Sequence, residues 1–196
     1  MCIVNEMIAK YYESKKWRKH AVQVIKISDE IVECYKSYLS AHISKLTESE
    51  VLSIKLACAF HDVTRKKDVS KNQHASKSAT MFKDHIWDDI KEEDFLKDFN
   101  KNERKEIKKS TAHAIENHND RKAICSQSVG LIVSTCVYAS DKITHICQDN
   151  TVKTYCEESI KILKLIKKIR KKHLNTPSVD LMCYCIIQVL VSKYPY

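Results

Sequence analysis

One glycine and two prolines in 196 residues constrain this chain more than any other feature. Tight hairpins, and the strand-to-helix turns of nucleotide-binding sheets, use glycine to reach positive φ without steric cost. With only Gly130, Pro177 and Pro195 to punctuate it, the chain is left with long helices joined by polar connections. The expected fold class is all-α: a single domain over 1–196, a bundle of about seven to eight helices. The length suffices for one good hydrophobic core.

Hydrophobic spacing divides the chain in detail. Residues 2–14 read as a short amphipathic helix, and a second runs from 14 or 15 to about 39 with Val22, Val24, Ile25, Ile27, Ile31, Val32 and Tyr35 as its apolar side. Thr47-Glu48-Ser49-Glu50 has the form of a capping box and opens a helix through Leu52, Leu56, Ala59 and Phe60. Residues 63–73 read as a basic loop, 74–86 as a helix, and 87–101 as a short helix plus connection. A helix over 102–116 leads into a loop at 117–121. The apolar stretch 129–146 reads as the central buried helix. Residues 151–173 form a long basic helix, and 179–191 close the domain after a break at 175–178. In the basic helix Lys161, Lys164, Lys167, Lys168, Arg170, Lys171 and Lys172 read as a solvated face over a core stripe of Ile160, Leu163, Ile166 and Ile169.

Nine cysteines, odd in number and scattered, do not form a disulfide framework. Most lie in apolar helical patterns, where a free thiol behaves as a small hydrophobe. The expected compartment is a reducing cytoplasm. The N-terminus, interrupted by Glu6, Lys10 and Glu13, lacks a signal peptide's apolar centre, and the longest apolar run is too short to span a bilayer. No membrane association is expected. A formal charge of +9 suits an anionic partner such as a nucleotide, polyphosphate or nucleic acid.

The chemistry gathers at Ala57-Cys58-Ala59-Phe60-His61-Asp62-Val63-Thr64-Arg65-Lys66-Lys67. An apolar helix climbs to Phe60 and delivers an imidazole and a carboxylate side by side. Neighbours on a helix point about 100° apart, but at a helix end both can turn toward one divalent ion. Partners of the right chemistry lie elsewhere: His20 near the start of the second helix, His74 in His74-Ala75-Ser76-Lys77-Ser78-Ala79, His118 after Ala114-Ile115-Glu116-Asn117, and Asp141 inside the apolar 129–146 run. A carboxylate in an apolar helix is costly unless it is paired or binds an ion. From the pattern alone, a metal-ligand role for Asp141 and pairing with Lys142 both stay open. His113 and His85 compete with His118 and His74. His42, His145 and His173 read as surface or packing residues.

This order of His, His-Asp, His, His, Asp resembles the HD superfamily of metal-dependent phosphohydrolases, over about 17–145. Within it the chain is most similar to small bacterial single-domain members such as diadenosine tetraphosphate hydrolases. The resemblance implies that His20, His61, Asp62 and Asp141 hold one ion and that His74 and His118 hold a second, with Asp62 bridging. It also implies a phosphate ester or anhydride of a nucleotide as substrate, with a dinucleoside polyphosphate among the candidates. Residues 151–192 would pack on that core.

Mixed nitrogen and oxygen ligation favours iron or manganese, ahead of magnesium, nickel, cobalt or zinc, as one or two ions. Asp62 would orient the nucleophile, and Arg65 stands where the family often has a lysine. Arg65 and Lys66 are the candidate phosphate-binding residues, against a plain solvated loop. That branch follows its fourth histidine with a Thr-Thr-Gly-like loop and its last aspartate with a Glu-Pro-x-Arg-like segment. This chain has Asn119-Asp120-Arg121 and Lys142-Ile143-Thr144-His145-Ile146 instead. A non-catalytic HD-scaffold protein that binds nucleotide or nucleic acid is the second expectation, and oxidative di-iron chemistry a third. A homodimer is an assembly open to any of these.

Overall fold

The computed structural model describes residues 2–38, 44–65, 73–127, 130–174 and 176–194. They form a single all-α domain in which no strand occurs. Eight helices have seven residues or more, the expected number with shorter pieces added.

α1 (Cys2–Tyr11) leads into α2 (Lys15–Ser37). The Thr47 capping box closes as its sequence implies: Glu50 N–H donates to Thr47 Oγ1 and Thr47 N–H to the Glu50 carboxylate. α3 (Glu48–Phe60) follows it. α4 (His74–Met81) runs into a π-helical stretch, Phe82–Ile86, and then α5 (Trp87–Ile90). The widened turn keeps Phe82, Ile86, Trp87 and Ile90 all buried. After α6 (Asp94–Lys97), a second capping box, Asn100 with Glu103, opens α7 (Lys101–Asn117); the sequence reading missed it.

α8 (Arg121–Ser126) was also unforeseen. Asp120 caps it, its side chain accepting from the Lys122 and Ala123 N–H groups. α9 (Leu131–Asp149), α10 (Val152–Lys172) and α11 (Pro177–Ser192) complete the bundle. Pro177 sits in the first turn of α11, where its missing N–H has no intrahelical partner to lose.

α9 is the axle. It packs on α2, α3, α7, α8, α10 and α11, and its residues are buried nearly all round. α3 packs on α7 and α2, and α4 on α7. In α10 the buried stripe is Ile162, Leu165, Ile166 and Ile169. Ile160 and Leu163 are about half exposed, which corrects the expected stripe by part of a turn. No helix among the described residues is long and apolar enough to cross a membrane.

Gly130 begins α9 at φ 73°, a left-handed conformation. A Cβ there would meet only Ser110 Oγ at 3.6 Å, so the backbone, not space, makes glycine necessary. Gly130→Ala is expected to lower stability by about 1 kcal/mol, and Gly130→Asn by less, in urea unfolding.

Candidate metal centre

Three of the six predicted ligands stand at helix ends and one just beyond an end. His61 caps the C-terminus of α3, His118 caps that of α7, and His74 is the first residue of α4. Asp62 follows His61 in the turn. A helix C-terminus leaves carbonyls without intrahelical donors, and both capping histidines use this in the same way. His61 Nδ1–H donates to the Cys58 carbonyl at 2.9 Å, and His118 Nδ1–H to the Ile115 carbonyl at 2.6 Å. The tautomer is thereby set and each Nε2 carries its lone pair inward. Tyr12 Oη donates to the neighbouring Ala59 carbonyl at 2.8 Å, further tying down the end of α3. Thr64 holds the start of α4 against the His-Asp turn, donating from Oγ1 to the His74 carbonyl at 3.0 Å and from its N–H to Ser78 Oγ at 3.2 Å.

His20 comes from within α2 and Asp141 from within α9. All six side chains are at most 2 % exposed, and they form two adjoining clusters. In the first, His20 Nε2 is 3.1 Å from Asp141 Oδ1 and 3.3 Å from His61 Nε2. His61 Nε2 is 3.6 Å from Asp141 Oδ1 and 3.7 Å from Asp62 Oδ2. In the second, His74 Nε2 is 3.2 Å and His118 Nε2 3.6 Å from Asp62 Oδ1, and the two imidazole nitrogens are 3.3 Å apart. Asp62 thus gives one oxygen to each cluster.

The donor set fits a cation. Ligand atoms bonded at about 2.1 Å to one ion lie about 3 Å apart when adjacent, close to the spacing here. His118 Nε2, its lone pair inward, and His74 Nε2 face each other at 3.3 Å beside Asp62 Oδ1. Asp62 Oδ1 is buried and accepts no well-formed hydrogen bond. A buried carboxylate oxygen in that state is expensive unless a positive charge meets it. These His/Asp clusters could hold metal ions.

One oxygen of each carboxylate already meets a basic side chain. Lys142, buried within α9, puts Nζ 2.6 Å from Asp141 Oδ2 and 2.9 Å from Asn119 Oδ1. The pairing left open for Asp141 therefore holds on Oδ2, while Oδ1 faces His20 and His61. Arg65 Nη1 lies 2.7 Å from Asp62 Oδ2, and its guanidinium carbon is 4.6 Å from the Trp17 ring centroid. Arg65 is not a free loop cation; Lys66 lies outside the described residues.

Burial pushes the Asp141 carboxyl up, but the Lys142 charge, with His20 and His61 beside it, holds it well below the usual carboxylate range. Asp62 is likewise pushed up by burial yet held well below it by the His61 charge and by His118 and His74. Burial lowers His61, but Asp62 and Asp141 outweigh that and raise it. For His118 burial prevails and the imidazole is shifted down.

The competitors stay outside. His113 and His85 are exposed on their helices, and His42 lies outside the described residues. A cleft of about 390 Å³ beside α7 is lined by His113, Lys109 and Gln127 but by none of the six ligands. Two contributors escaped the sequence reading. Asn119, ordered by Lys142, directs Nδ2 to His118 Nε2 at 2.7 Å and His74 Nε2 at 3.1 Å, so its carboxamide covers the second cluster. His145, by its sequence pattern a surface or packing residue, sits against the first: its Nε2 is 3.5 Å from Asp141 Oδ1. Its spacing of four from Asp141 on a helix was the available signal.

Comparisons with models of protein families, with curated proteins and with solved structures found no match to this chain.

Lys142→Met is expected to cost the metal-free protein about 3 kcal/mol, because Asp141 is left buried without its counter-charge. Added divalent ion should then recover more stability in the variant than in the parent, read as the shift in Tm. The pH dependence has a definite sign. Two carboxyls held below their unfolded value of about 4 contribute stability that is complete above about pH 4 and lost as pH falls through the folded values. Urea midpoints of the metal-free protein should therefore drop steeply below about pH 4.

Proposed function

We propose that this chain is a metal-dependent phosphohydrolase of the HD type, cleaving a phosphate ester or anhydride of a nucleotide. The observation that carries the reading is Asp62, whose two oxygens face separate His clusters 3.2 to 3.7 Å away. One or two divalent ions in these clusters would supply an activated water and polarise the phosphoryl oxygens. Iron or manganese suits mixed imidazole and carboxylate ligation with open positions best.

The chain's own groups divide the remaining tasks. Asp62 holds and orients, fixed by Arg65 on one oxygen. Arg65, whose side chain is 26 % exposed, keeps further N–H groups for a phosphate oxygen, and its stacking on Trp17 pre-sets the guanidinium plane. Lys142 and Arg65 lie next to the carboxylates and favour an anionic substrate at this end of the bundle. Dinucleoside polyphosphates are the first substrates to test. The loops that differ from that branch, at Asn119 and after Asp141, are the ones that would shape its specificity.

A second reading, a polyanion-binding role on the same scaffold, draws on a different observation. Arg121 of α8 and Lys164, Lys167, Lys168 and Lys171 of α10 surround a concavity of about 290 Å³. None of the five forms an ion pair with a carboxylate among the described residues. RNA binding that weakens steeply with salt, without turnover, would favour this reading.

His61→Ala and Asp62→Ala are expected to abolish hydrolysis of nucleotides in manganese or iron while leaving the far-ultraviolet dichroism unchanged. Turnover equal to the parent's would end the phosphohydrolase reading. Arg65→Lys should raise KM more than it lowers kcat, since a charge remains but the planar fork is gone.

A further inference from the structure

Asp141 and His145 are four residues apart in α9, so their side chains lie one above the other on the same face. That face looks toward α2, where His20 sits. The His145 ring stacks on that of His20, with centroids 5.5 Å apart and planes at 27°. Its Nε2 is 3.5 Å from Asp141 Oδ1, the oxygen that also faces His20 and His61. His20, Asp141 and His145 each offer a ligand atom within 4.8 Å of the others, a second grouping around the same carboxylate oxygen.

The far side of the ring decides what Nε2 can do. His145 Nδ1 lies 3.9 Å from Glu158 Oε1 on α10. Glu158 is 7 % exposed, and its Oε2 is buried without a partner, while Lys161 Nζ stands 2.6 Å from Oε1. That contact is longer than a hydrogen bond, yet a buried carboxylate on this side favours the ring proton at Nδ1 and leaves the Nε2 lone pair toward Asp141. Carboxylate, imidazole and cation in line is the usual support of a metal-ligating histidine. His61 has the closer form of this support, a 2.9 Å hydrogen bond to the Cys58 carbonyl.

We propose that His145 is a further ligand of the ion held by His20, His61 and Asp141, and that Glu158 is its positioning residue. This inference rests on the proposed metal centre and adds to it. The first cluster then presents three imidazoles with its carboxylates, a donor set that moves preference from magnesium toward iron, cobalt, nickel or zinc. The second cluster keeps two imidazoles and Asp62 alone. The two sites therefore differ in affinity, and α10 acquires a direct part in the centre.

Cobalt(II) is the probe, since its visible absorption reports coordination and its binding can be titrated. The full-length parent is compared with His145→Ala, His145→Phe and Glu158→Gln. Phenylalanine keeps the stacking on His20 but cannot coordinate. The expected result is that Ala and Phe both weaken the tighter cobalt site roughly 10-fold or more and change its absorption, while Glu158→Gln weakens it less. Parent-like binding by His145→Ala overturns the proposal. Parent-like binding by His145→Phe alone reduces His145 to a packing role and overturns it as well. If the parent binds no cobalt, both this inference and the metal centre fall; if the parent binds and the variants match it, only His145 does.

Discussion

Six side chains that want a positive charge are buried against one another, and the architecture is arranged to keep them there. Four imidazoles and two carboxylates, none more than 2 % exposed, meet where α2, α3, α4, α7 and α9 converge. Burying two carboxylates would destabilise an ordinary core by several kcal/mol each. Here Lys142 meets Asp141 Oδ2 and Arg65 meets Asp62 Oδ2, an oxygen it shares with His61, while Asp141 Oδ1 and Asp62 Oδ1 face imidazole nitrogens. The arrangement is part-neutralised by protein, and its remaining donors could hold a cation.

The local devices that aim these groups are economical in sequence. A histidine at a helix C-terminus, bonded back to the carbonyl three residues before it, appears twice, at His61 and His118. Each satisfies a carbonyl that the helix leaves open and fixes a ring at the same time. Asp141 and Lys142 need the opposite setting, the middle of a helix buried on all sides. There a charge of either sign survives only because its partner is adjacent.

The two clusters are not equivalent. Asn119 directs its amide across the second, and Lys142 holds Asn119 in that pose. The same lysine thus touches both halves: Asp141 of the first directly, and the histidines of the second through one carboxamide. A change in charge at either cluster reaches the other through Lys142 and through the shared Asp62. For the proposed hydrolase this links occupancy of the centre to the loop that carries Asn119.

The sequence by itself determined the fold class, most helix limits and the candidate ligands. One glycine forbids glycine-dependent turns, and helical spacing and the Thr47 capping box are local properties that neighbours along the chain already express. The ordered His, His-Asp, His, His, Asp pattern was legible because each member stands out against its own segment. Only tertiary packing decided which atoms meet. That Asp62 divides its oxygens, that Asp141 serves Lys142 and the histidines together, and that His145 and Asn119 join the centre depend on how helices from distant parts of the chain cross. The half-exposed Ile160 and Leu163 make the same point, since a helix of nearly continuous apolar and basic residues does not declare which side its neighbours will cover. Side-chain period is set within a turn or two, whereas convergence is set by the angle and rotation at which whole helices pack.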